Sequence, residues 1–65
     1  MEFIDNDKMS ELRSILQELL DLDDGLSPWT LDFIDSLANW DGAFTERQGQ
    51  TLENIYKETR DKGLL

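Results

Sequence analysis

The chain has 65 residues, 38% of them hydrophobic, no cysteine, no histidine and a net charge of −9. It is therefore one small domain at most, without disulfides, thiolate or imidazole zinc sites, or histidine acid–base chemistry. The charge is segregated: residues 1–45 carry eleven carboxylates against Lys8 and Arg13, whereas residues 46–65 carry four acids and four bases. This balance argues against ordinary nucleic-acid binding, which needs cations to displace the counterions around phosphates. No apolar run approaches the roughly 18 residues of a membrane span. Glu2 and Asp5 stand where a signal peptide would be positive, so a soluble cytoplasmic protein is expected.

The apolar positions fall into three segments of helical period. The first predicts a helix over residues 7–21, with Met9, Leu12, Ile15, Leu16, Leu19 and Leu20 on one stripe. Arg13, Gln17, Glu18 and Asp21 occupy its wet side. Asp7 or Ser10 is placed to cap it, and Asp5 and Asp7 suit the positive end of its dipole. Residues 1–6 read as a short mobile arm whose Phe3 and Ile4 are expected to dock on the core rather than form a sticky end. Asp23, Asp24 and Gly25 break the pattern, with Gly25 free to adopt a left-handed conformation.

Ser27-Pro28 opens the second helix, predicted over 28–40: Ser27 is a good cap, and proline at the first helical position loses no hydrogen bond. Leu26 and Leu31 have the spacing of a hydrophobic staple. Trp29 or Phe33, then Ile34, Leu37 and Ala38, should face inward, with Trp40 closing the end and Asp41-Gly42 stopping the helix. Thr45-Glu46-Arg47-Gln48 matches a capping box for a third helix over 46–61, which should bury Leu52, Ile55, Tyr56 and the methyl of Thr59. Gly49 costs that helix up to about 1 kcal/mol relative to alanine. Close approach of an aromatic ring from another helix would explain it, as would an unremarkable weak spot. The fold class expected is all-α, a small three-helix bundle.

Chemistry is constrained mainly by exclusion. Counted from Asp21, an EF-hand loop would find Asp23 and Asp32 at positions three and twelve, but Gly25 falls at five, Leu26 at six, and Pro28 starts a helix inside the loop. Solvated carboxylates, with no metal and no cofactor, are the expectation. Asp32/Asp35 and Glu58/Asp61 are acid pairs one turn apart, yet acid–base catalysis also needs a cleft that orients substrate and excludes water, so no enzyme is expected. Trp29, Phe33 and Trp40 could form a stacking platform for single strands, but Asp32, Asp35 and Asp41 would repel phosphates.

The stretch Trp29-Thr30-Leu31-Asp32-Phe33-Ile34-Asp35-Ser36-Leu37, then Phe44-Thr45-Glu46-Arg47-Gln48, then Leu52-Glu53-Asn54-Ile55-Tyr56, resembles a pattern of small helical proteins encoded by phages, prophages and plasmids. The resemblance spans about half the chain, and much of it is also what capping and packing demand. It implies an accessory part of the kind carried by larger replication- or recombination-associated proteins. This chain lacks the zinc ribbon and basic flank that would accompany a nucleic-acid role.

The reading that results is a small acidic protein-binding module, an adaptor or inhibitor of a partner with a basic surface, in its sharper form a mimic of nucleic acid. Its candidate partner-binding residues are Asp21, Asp23, Asp24, Asp32, Asp35 and Asp41, with Trp29 and Trp40 as apolar anchors. One alternative is a helix-turn-helix-like DNA binder reading through Arg47, Gln48, Gln50, Asn54 and Lys57. The other is a self-associating structural module.

Overall fold

The three apolar stripes close on one core. The computed structural model describes residues 3–22 and 25–65, and contains α1 (Asn6–Leu20), α2 (Pro28–Ala38) and α3 (Glu46–Asp61). The architecture is a small all-α three-helix bundle, with no strand among the described residues. Met9, Leu12, Ile15, Leu16 and Leu19 of α1 pack with Ile34 and Leu37 of α2 and with Leu52 and Ile55 of α3. Because the buried stripe of α1 runs from Met9 to Leu19, it packs against both other helices, which touch each other far less. That asymmetry leaves a seam open between α2 and α3.

The largest fully buried side chain lies in no helix. Phe44, in the α2–α3 connection, is wholly covered, and burying such a ring stabilises the fold by up to about 3 kcal/mol. Its backbone is satisfied on both sides: the amide donates to the Met9 sulfur at 3.1 Å, and the carbonyl accepts from the Ile4 amide at 2.9 Å. The Arg13 guanidinium lies over its ring, 5.4 Å from the centroid, and donates to the Gly42 carbonyl at 3.2 Å. One long side chain thus fixes both the ring and the turn leading to it.

This clamp changes the start of α1. Because Ile4 is held to Phe44 and Phe3 forms a single bridge with Thr45, the chain stays extended until Asp5. Asp5, rather than Asp7 or Ser10, is the cap, its side chain accepting from the Lys8 amide at 2.9 Å. Ile4 packs on the core and Phe3 remains 64% exposed, so the two arm residues part company.

Gly49 is a close-approach site, but the approaching groups are aliphatic. A β-carbon there would collide with the end of Ile4 and stand 3.0 Å from the Leu12 δ-methyl. The Thr45 capping box is complete: its hydroxyl accepts from the Gln48 amide at 3.2 Å, and Gln48 Oε1 accepts from the Thr45 amide at 2.8 Å. α3 ends in a Schellman motif, with Gly63 at φ 78°, its amide on the Arg60 carbonyl and the Leu64 amide on the Thr59 carbonyl.

α2 departs from expectation at its far end. It stops at Ala38, so Trp40 falls in the connection, 41% exposed, with its indole N–H donating to the Ala43 carbonyl at 3.1 Å. Of the other expected inward residues, Ile34 and Leu37 are buried and Phe33 is half-buried, while Ala38 is exposed. Leu20 and Tyr56 are likewise less covered than their stripes suggested: Leu20 lies at the rim of the α1–α2 contact beside Ala38, and Tyr56 at the rim of the α1–α3 contact beside Glu18.

Candidate protein-binding surface

The described acids of the first 45 residues point to solvent. Asp21 caps the C-terminal end of α1 and accepts from Gln17 Nε2 at 3.0 Å. Asp32 and Asp35 lie on the face of α2 opposite the buried Ile34 and Leu37, and Asp41 stands exposed in the connection to α3. Asp23 and Asp24 lie outside the described residues. Among the described residues the ion pairs are Lys8 with Glu11 at 3.5 Å and Lys8 with Glu53 at 3.2 Å. None of Asp21, Asp32, Asp35 and Asp41 is neutralised by such a pair. No group of three or more potential metal-ligating residues occurs among the described residues.

The two tryptophans differ in kind. Trp40 spends its N–H on the connection that holds Phe44. Trp29, in the first turn of α2, is 62% exposed and stacks on Phe33 with ring centroids 5.5 Å apart and planes 3° from parallel. The pair forms one wall of a groove of about 510 Å³ along the α2–α3 seam, whose other wall is Thr45, Arg47, Gln48 and Thr51. The size is in the range of ligand and side-chain binding clefts. The i, i+4 spacing of Trp29 and Phe33 was the available sequence signal for this pair. The contribution of Arg47 and Thr51 depends on how α3 is rotated against α2, which spacing does not reveal.

Of the residues of the helix-turn-helix alternative, Arg47, Gln50, Asn54 and Lys57 recur at helical spacing along one exposed stripe of α3, and Gln48 lies off it. Arg47 and Gln48 line the α2–α3 groove, and Gln48 Oε1 is committed to the cap of α3. Gln50 and Asn54 open on the α1 side, into a groove of about 450 Å³ that Glu46 and Glu53 also line. Lys57 lies further along the same stripe, beside Tyr56, Arg60 and Asp61.

Two titrating groups tie helices together. Lys8 is held above the usual lysine value, first by its hydrogen bond to Glu53 on α3. Tyr56 is pushed above the usual phenol value, first by the neighbouring Glu18 carboxylate of α1, while Arg60 over its ring acts in the opposite direction.

No helix is long and apolar enough, among the described residues, to cross a membrane. Comparison with protein families, with curated proteins and with solved structures gives no match to this chain.

Proposed function

We propose that the chain is a small acidic protein-binding module, a cytoplasmic adaptor or inhibitor of the kind found in phages and plasmids, whose partner presents a basic surface. The observation that carries this reading is the set of exposed carboxylates Asp21, Asp32, Asp35 and Asp41, none held in an ion pair. Unpaired surface charge of one sign accelerates encounter with an opposite surface and repels others. The exposed indoles of Trp29 and Trp40 supply apolar contact area next to that charge, the residue type most enriched in binding hot spots. The net charge of −9, with the acids Glu58 and Asp61 on the same exposed face of α3 as Arg47, Gln50, Asn54 and Lys57, weighs against the DNA-reading alternative.

The experiment is capture of a binding protein from an extract of the source cells, with the wild-type chain beside a variant carrying D21N, D35N and D41N. The same protein should be retained by the wild type, lost from the variant, and released by raising salt to about 0.5 M, where the screening length falls to a few ångströms. Release by competing duplex DNA would extend the reading to mimicry of nucleic acid. Retention indifferent to both the neutralised acids and the salt would refute the acidic-surface reading.

A further inference from the structure

The α2–α3 groove carries a pattern that the acidic surface leaves unexplained. Its lining contains no carboxylate, in a chain with fifteen, and its single charge is the Arg47 guanidinium. An occupant must bring apolar surface to the Trp29–Phe33 pair and a negative group to Arg47, the reverse of what a cationic partner offers. The chain itself presents that combination at the groove's rim: Trp29, part of the wall, keeps most of its indole exposed to a second molecule, and Asp32 stands exposed one helical turn further along α2. A protrusion that matches the recess next to it is the condition for a two-fold contact, in which the same patch serves on both sides.

We infer that the groove binds a second copy of this chain, each Trp29 indole lying against the Trp29–Phe33 pair of the other copy and each Asp32 facing the other copy's Arg47. The stacked pair is already ordered by its own packing, so docking loses little side-chain freedom. The contact takes Trp29 and Asp32 out of the proposed partner surface and leaves Asp21, Asp35, Asp41 and Trp40 outward, so it goes beyond the proposed function without depending on it. Its salt dependence has the opposite sign. Two chains of charge −9 repel each other, and screening relieves that repulsion while it weakens the hold on a basic partner.

Sedimentation of the full chain over a concentration series tests this. A monomer–dimer equilibrium is expected that tightens several-fold as salt rises from about 0.05 M to about 0.5 M. W29A and R47E should each weaken it by about tenfold or more, as loss of a central anchor does. The double variant D32R/R47E, which exchanges the two charges, should return it to within about threefold of wild type. All of these positions are exposed, and unchanged helical circular dichroism in each variant shows that the fold is kept. A chain that stays monomeric up to about millimolar concentration at high salt, well above the range of useful affinities, overturns the inference. So does a dimer that salt weakens, or one indifferent to W29A, which would place the contact elsewhere. Monomeric behaviour would leave salt-sensitive capture through Asp35 and Asp41 untouched, so the two proposals fail separately.

Discussion

Phe44, Gly49 and Tyr56 show how single side chains set the energetics. Phe44 is buried by α1, the arm and its own connection at once, so F44A should cost about 3–5 kcal/mol, enough to abolish the cooperative unfolding transition of a domain this small. Thermal or urea unfolding followed by circular dichroism reads this directly. At Gly49 two effects oppose each other. Alanine gains about 1 kcal/mol of helix propensity, yet its β-carbon must displace the end of Ile4. G49A should therefore change stability by less than about 1 kcal/mol, whereas the branched side chain of G49V overpacks the cradle and should cost about 1–3 kcal/mol. Tyr56 is the only tyrosine of the chain, so its ultraviolet phenolate titration is unambiguous. Its folded value is raised above 10.0, which means that the protonated phenol is favoured by folding. The stability this contributes is complete below the unfolded value and is lost as pH rises through the folded one. E18Q should move the phenolate midpoint down toward the ordinary value; an unmoved midpoint would show that Glu18 is not its cause.

Among the elements, the helix starts followed from short-range chemistry wherever a single residue is placed to accept from the first-turn amides. Ser27-Pro28 and the Thr45–Gln48 box lie where spacing placed them, and T45A should cost α3 about 1 kcal/mol, measured as a lowered urea midpoint with unchanged slope. The start of α1 was less legible, because Asp5, Asp7 and Ser10 are all adequate caps. The choice falls to Asp5 through the Ile4–Phe44 hydrogen bond, a contact forty residues apart in sequence. The end of α2 was misread for a similar reason. Trp40 extends the apolar pattern, but its indole N–H finds the Ala43 carbonyl, and a ring bonded to the connection cannot also close the helix face.

At the scale of the whole molecule, charge and packing pull against each other. Nine uncompensated negative charges repel within a molecule 31 × 19 × 17 Å in extent, and among the described residues only Lys8 draws acids into ion pairs. Salt should therefore raise the melting temperature, by a few degrees between about 0.05 M and about 0.5 M, since screening removes more repulsion than attraction. A melting temperature that falls over this range would mean that the Lys8 pairs outweigh the repulsion. At high pH the sign is also fixed: Lys8 and Tyr56 both have raised folded values, so each withdraws stability as pH climbs past about 10.

The three helices and their principal caps follow from spacing within a few residues, and the segregation of charge from regional composition alone. The tertiary structure alone decided that Phe44 is the centre of the core, that Trp29 faces outward over a groove with Arg47, and that Gly49 receives Ile4. Those outcomes depend on how far each helix is rotated and splayed against α1. That rotation is set by the sum of contacts across the bundle, and no local pattern records it.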